Sequence, residues 1–397
     1  MKPDGYMAVA ALAALAFTAP AVHAAPMEAE GAAPLDKGIA YARQAAKDDA
    51  RRQLALQRGA VVVSGEQMTS SGELLQSAAV RPAGQVGPAS TVREWKSGDA
   101  LHVLMQAGDD AGSGFGLDED EGGNASATAS YRKKVLITPF RVTRPEHVAD
   151  MDDVPLGMSR NLYERLGRSG KLQPRLGKYV VPNERMGATP EQTAAAVRQL
   201  ARDNDSQFVL AGEVVDAGTS TVKGFLSSTT TRNFEVRTSL YDGLTGVLIA
   251  ERRIGRQGEG EVGIGRHRPF GSASFFSTAF GCVVDAVLGS AAAEMMQDLA
   301  PLPFTARIVR IENRKLIFDA GVTSAVQPGD KLIAYSRKPE WDVGAALHGA
   351  GGVPESPVAT VSVVQVHPAF SVGEMSEQPA RVHLKVGDYV RFASSSQ

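Results

Sequence analysis

The chain has 397 residues, 43% of them hydrophobic, enough for two or three ordinary domains with cores of their own. Its 42 basic and 44 acidic side chains leave a formal net charge of -2, which excludes the basic footprint of a nucleic-acid-binding protein. One cysteine, Cys282, excludes a disulfide within the chain.

The first element is a targeting pattern. Lys2 precedes an apolar run over 7–21, and Val22-His23-Ala24 sets small residues at the -3 and -1 positions before Ala25. The run is short for a membrane span, so a cleaved signal peptide over 1–24 and export are expected. No cysteine stands near the cleavage point, so no lipid anchor is expected. About ten linker-like residues rich in Ala, Glu, Gly and Pro follow. Ile39, Ala42, Ala46, Ala50 and Leu54 then fall at helical spacing and predict a helix over 35–58, ended by Gly59. A strand at 60–63, a loop over 80–89 and hairpin strands at 91–95 and 100–106 complete an α/β N-terminal domain over 35–107. Residues 108–130 read as a linker of Gly, Ser, Ala and acids. Its run Asp118, Glu119, Asp120, Glu121 suggests a calcium loop, but the twelfth position, which needs a bidentate Glu, is Ala129.

The middle domain is expected over 131–300. It opens on YRKKVLITPFRV at 131–142, a buried-strand composition broken by Pro139. A helix over 152–166 follows, with Asp152 and Asp153 as an acidic start, then a strand within 171–182. Thr189 is placed to cap a second helix, with Pro190 at its first position and Glu191 and Gln192 in its first turn. Strands at 207–215, 233–241 and 247–254 give the order β-α-β-α-β-β-β, a mixed sheet with helices on one side. A final helix over 275–299 is very apolar, but Asp285, Glu294 and Asp298 interrupt it, so a core or docking helix is expected. From 301 to 393 the chain reads all-β, with strands at 306–312, 315–319, 331–335, 359–367, 381–384 and 389–392. The turns Pro328-Gly329-Asp330 and Val386-Gly387-Asp388 recur before strands and suggest a small SH3-like barrel, with a Gly- and Ala-rich loop over 343–357.

No catalytic, cofactor-binding or metal-ligating residue is assigned. Gly258, Gly260 and Gly263 match GxGxxG, but Glu259 and Glu261 would repel a phosphate and Arg266-His267-Arg268-Pro269 follow in place of a helix. No P-loop or G-x-S-x-G motif occurs, and His102, His147, His267, His348, His367 and His383 form no ligand-spaced pair. Cys282, in AFGCVVDAV, is expected to be a buried small hydrophobe. Arg252, Arg253, Arg256, Arg266 and Arg268 form a basic cluster that reads as a solvated hairpin tip, with a docking surface for an acidic partner as the functional reading. A scaffold is therefore favoured over an enzyme. An envelope hydrolase built from distant carboxylates and another periplasmic secretion or cell-wall synthase accessory stay open as alternatives.

Several segments in this order resemble the flagellar assembly protein T family of Gram-negative bacteria. They are AKDDARRQLALQRGA at 46–60, Tyr131-Arg132-Lys133-Lys134-Val135 with Phe140, Phe280-Gly281 with Asp285, Pro303-Phe304-Thr305-Ala306-Arg307, and the two Gly-Asp turns. The resemblance implies an α+β multidomain protein: an α/β N-terminal domain, a middle domain like the N-terminal domain of TolB, and a C-terminal SH3-like β-barrel. It also implies a periplasmic, non-catalytic component of the flagellar basal body. Such a protein forms or stabilises an outer ring around the rod bushing and supports stator-ring assembly. The implied partners are the bushing, the stator-associated ring proteins and further copies of itself, with a peripheral contact to outer membrane or peptidoglycan, no nucleic acid and no cofactor. The acidic 108–130 segment departs from the family pattern.

Overall fold

A computed structural model of the chain describes residues 28–57, 60–68, 74–82, 89–107, 131–223, 228–259, 264, 268–300, 302–337, 355–376 and 383–391. Residues 1–24, expected to be a signal peptide, and 108–130, expected to be a linker, lie outside the described residues. The N-terminal module contains β1 (Glu28–Pro34), α1 (Ile39–Gln57), β2 (Ala60–Met68), β3 (Leu74–Pro82), β4 (Ala89–Ser97) and β5 (Ala100–Ala107). β5 is the middle strand of an antiparallel sheet, with β1 and β4 on either side, and β2 and β3 pair as a separate two-stranded sheet. The strand expected at 60–63 thus runs on to Met68, and β3 ends inside the loop expected over 80–89. β1 replaces part of the expected linker. Its sequence EAEGAAP carries no β-branched residue, and the reason it forms a strand is tertiary: Ala29 and Ala33 pack in the core under α1, while Ala32 packs against the C-terminal barrel. Small residues on both faces let two neighbours approach closely.

The middle sheet is built from β6 (Lys133–Ile137), β7 (Arg141–Val142), β8 (Leu172–Leu176), β9 (Phe208–Asp216), β10 (Thr219–Lys223), β11 (Ser228–Asp242) and β12 (Leu248–Glu259). The path is β10-β11-β9-β6-β8, with β12 also on β11 and β7 on β9; β6 runs parallel to β8 and β9. The helices are α2 (Val154–Arg168), α3 (Pro190–Asp203), α4 (Ala273–Phe276) and α5 (Ala279–Leu299). Val135 and Ile137 face a core shared with α2 and α5, while Leu136 between them packs with Val197, Leu200 and Ala201 of α3. Helices therefore cover both faces, correcting the one-sided arrangement. The unbroken apolar run VLI is what a strand buried on both sides requires.

Thr189 caps α3 in a full capping box: its Oγ1 accepts from the Gln192 N–H at 3.3 Å, and the Gln192 side chain accepts from the Thr189 N–H at 2.9 Å. Thr189→Ala should cost about 1 kcal/mol, read as a lowered denaturant midpoint, with Thr189→Ser near neutral. Asp153, by contrast, precedes α2 in the left-handed region (φ 55°) and makes no capping bond, so the acidic start is not a cap; it pairs with Arg160. The single helix expected over 275–299 is two. Thr278 ends the first and caps the second, accepting from the Gly281 N–H at 2.9 Å and donating to the Phe275 carbonyl at 2.7 Å. By length and composition α5 could cross a membrane, yet Phe280, Val284, Val287, Leu288, Ala291 and Met295 pack it onto the sheet. Cys282 sits off that stripe and is exposed, which overturns the buried reading: the apolar run AFGCVVDAV winds around the helix, and only part of it faces the core.

β13 (Thr305–Glu312), β14 (Lys315–Phe318), β15 (Lys331–Arg337), β16 (Glu355–Val366), β17 (Ser371–Met375) and β18 (Tyr389–Arg391) close a six-stranded barrel in the order β13-β14-β17-β16-β15-β18. β17 was not expected, whereas the strand expected at 381–384 is absent from described residues 383–384. β16 begins at Glu355, inside the loop expected over 343–357. The two Gly-Asp turns share one geometry. Gly329 and Gly387 have φ of 91° and 97°, and each Asp accepts a backbone N–H three residues earlier at 2.8 Å, Asp330 from Gln327 and Asp388 from Lys385.

Candidate functional site at the junction of the three modules

The histidines among the described residues do not converge. His102 pairs with Glu30 and His147 with Asp216, each at 2.8 Å, and His367 stacks on Phe370. Among the described residues no three His, Cys, Asp or Glu side chains gather as a metal site. Gly258 and Glu259 end β12; residues 260–263 of the glycine motif lie outside the described residues, as do Arg266, His267 and His348. Within the basic cluster, strand alternation sends Arg252 and Arg253 to opposite faces, while Arg266 lies outside the described residues. Arg252 turns to Asp298 and Glu294 of α5, and Arg253 to Glu235 of β11.

What the chain does bring together is its three modules. Arg391 on β18, nearly buried, donates to Asp49 of α1 at 2.9 Å and to Glu355 of β16 at 2.8 Å. Tyr335 of β15 donates its hydroxyl to the same Asp49 at 2.6 Å. The rings of Tyr335 and Tyr389 stack at 5.7 Å between centroids, and the Arg391 guanidinium lies 4.6 Å and 5.2 Å from their centroids. Burial, and next the Asp49 and Glu355 carboxylates, push the two phenols well above their usual range, so they stay protonated donors. Ala32, Ala100, Ile333, Tyr335 and Tyr389 form an apolar cluster around this charged centre. Arg337 of β15 also donates to the Leu244 carbonyl of the middle module at 3.4 Å. A cavity of about 60 Å³ lies between Gln53, Gln207, Leu244, Leu302 and Arg391. That is far below the ~300–1,000 Å³ of ligand pockets.

A second set of bonds ties the middle sheet to the barrel. The Arg132 N–H donates to the Ser324 carbonyl at 3.0 Å, and Gln207 donates to the Pro303 carbonyl at 2.7 Å. Lys134 donates to both oxygens of Asp205, at 2.8 and 2.9 Å, and to the Asp319 carbonyl. Arg175 adds a bond to Asp205 at 2.9 Å. Burial pushes the Asp319 carboxyl up to about 6, against the pull of Lys134 and with a further push from its hydrogen bond to Asp205. A carboxyl raised in the folded state binds its proton more tightly there than when unfolded. Its contribution is complete below the unfolded value near 3.8 and is lost as pH rises through about 6. Stability should therefore fall by roughly 1–3 kcal/mol between pH 4 and pH 7, and Asp319→Asn should flatten that slope in denaturant titrations run across the range.

Asp49, Arg132, Lys134 and Pro303 lie in the segments that carry the family resemblance, but nothing local says that they meet. Asp49 and Arg391 are 342 positions apart, and the one local signal is a pair of buried-type tyrosines on barrel strands.

Sequence comparison gives the middle module a relative. Residues 124–265 match the family model described as flagellar assembly protein T, middle domain. No curated protein matches the chain. Among solved structures, the PelC dodecamer from Paraburkholderia phytofirmans aligns over 43% of this chain and 89% of its own, at 14% identity and a TM-score of 0.25. The hypothetical protein CT253 from Chlamydia trachomatis aligns over 43% of this chain and all of its own, at 16% identity and a TM-score of 0.30. A lipoprotein from Neisseria meningitidis aligns over 41% and 99%, at 18% identity and a TM-score of 0.23. The match from 124 to 265 takes in the sheet from β6 through β12 with α2 and α3, so this middle module is similar to the middle domain of flagellar assembly protein T.

Proposed function

We propose that this chain is a non-catalytic, periplasmic structural protein of the flagellar basal body, exported by a cleaved signal peptide. It forms or stabilises an outer ring around the rod bushing and supports assembly of the ring that anchors stator units. In this reading the middle sheet corresponds to the TolB-N-like domain and the six-stranded barrel to the SH3-like domain. The partners are bushing proteins, stator-associated ring proteins and neighbouring copies of the chain, with a peripheral contact to outer membrane or peptidoglycan. The observation that carries the reading is the joint itself. A buried Arg391 bonded to carboxylates from two modules fixes the N-terminal module on the barrel, as a subunit under mechanical load needs. The small 60 Å³ cavity there favours support over turnover. The test is a gene deletion with purification of basal bodies. Loss of swimming with basal bodies lacking an outer ring is expected, together with co-purification of the tagged chain with intact basal bodies. Normal motility and unchanged basal bodies would overturn the proposal.

A further inference from the structure

An open groove of about 600 Å³ lies where α2 ends, beside β8 and the 322–324 turn of the barrel. Its volume is that of a ligand site, ten times that of the small cavity at the joint. β8 is the outer strand of the sheet and, among the described residues, pairs only with β6, so no described strand takes its other edge. Tyr163 and Pro174 give the groove apolar wall, and Arg132 and Arg168 give it positive charge. The one acid in the lining, Glu164, meets Arg168 at 3.4 Å with both side chains more than 60% exposed, a pairing that leaves the arginine largely available. Arg132 is exposed, and Lys171 beside β8 is exposed as well.

Gly167 gives an independent sign. It stands inside the last turns of α2, where glycine weakens a helix. Packing does not require it: an added methyl would meet Pro174 Cγ at 3.5 Å, an ordinary contact, and nothing closer. Unlike Gly212, whose methyl would strike the Phe140 ring, Gly167 spares only the open space of the groove.

We propose that this groove binds an extended, acidic polypeptide segment of a partner protein, laid beside β8 with its carboxylates on Arg132 and Arg168. Pro174 has no N–H to offer, so the backbone pairing is short and the charges set the affinity. The inference stands on the groove alone and goes beyond the flagellar reading. The test uses the full exported chain and a fluorescein-labelled decapeptide of alternating Asp and Val, followed by anisotropy at low ionic strength. Saturable binding is expected, weakened roughly tenfold or more by Arg132→Glu with Arg168→Glu, and also by Gly167→Leu, which fills the groove and keeps both arginines. Thermal melts identify folded variants, and if Gly167→Leu does not fold, the arginine pair decides. Unchanged binding by the arginine variant, or equal binding of an alternating Lys-Val peptide, overturns the proposal. So does a roughly tenfold gain in affinity when Asp118, Glu119, Asp120 and Glu121 are changed to Ser, because the chain's own acids would then be the occupant.

Discussion

Arg391→Met should lower the stability of the joined N-terminal module and barrel by about 3–5 kcal/mol, the usual cost of leaving a buried charge without its partner. Methionine keeps much of the length and apolar bulk of arginine, so packing over Tyr335 and Tyr389 largely survives. What remains is Asp49 and Glu355, both nearly buried and both negative, with their shared cation gone. Adding Asp49→Asn and Glu355→Gln removes the stranded charges, and the triple variant should recover most of the loss. Urea titrations of the single and triple variants, followed by tyrosine fluorescence and limited proteolysis, separate these outcomes. A single variant within about 1 kcal/mol of the parent would mean that the ion triad does not hold the modules together. The carbon-copy change Arg391→Lys should also be poor, because an ammonium cannot bridge two carboxylates in the forked geometry seen here.

Gly31→Val should be of similar severity and act elsewhere. A Cβ at Gly31 would lie 2.0 Å from the Ala46 carbonyl oxygen and 2.4 Å from the Ala50 nitrogen. Both are backbone atoms of α1, so no side-chain rotation relieves the contact. The helix must lift from β1, opening the core of Ala42, Ala46, Ala50 and Leu54 over Leu101 and Val103. Overpacking costs about 1–3 kcal/mol where side chains can yield, and a backbone collision belongs at or above that upper end. Amide hydrogen exchange would read it directly: protection in α1 and β5 should fall while the middle sheet keeps its own. Retained protection in α1 would show that β1 yields without cost.

The elements that could be read in advance are those with local causes. The α3 cap needs only Thr189, Pro190 and Gln192, and the β4–β5 hairpin only the Gly98-Asp99 turn between two strand-forming runs. The consecutive apolar residues of β6 even carried the signal for a sheet covered on both faces, although helices were expected on one. The features that escaped have distant causes. β1 looks like linker because its small residues matter only where α1 and the barrel press on it from two sides. The break at Thr278 rests on a side-chain bond within an apolar stretch that otherwise reads as continuous helix. Cys282 reads as core because apolar neighbours surround it in sequence but not on the helix surface. At the joint, Asp49 is an ordinary acid in a charged helix, and only its three-dimensional partners give it meaning. The groove was equally silent, since Gly167 is unremarkable and Arg132 reads only as part of a strand start until α2, β8 and the barrel stand together.

The bond between Asp49 and Arg391 spans 342 positions and couples α1 to the last described strand. Synthesis delivers α1 well before β18, so Asp49 lacks its counter-charge until β18 has been made. Contacts of such separation pay their loop-closure entropy late and slow the final step. A chain cut short before β18 would lack both the closing strand of the barrel and the cation for Asp49. The same arginine therefore ties the joint to the closing of the barrel: Asp49 gains its cation only once β18 is in place.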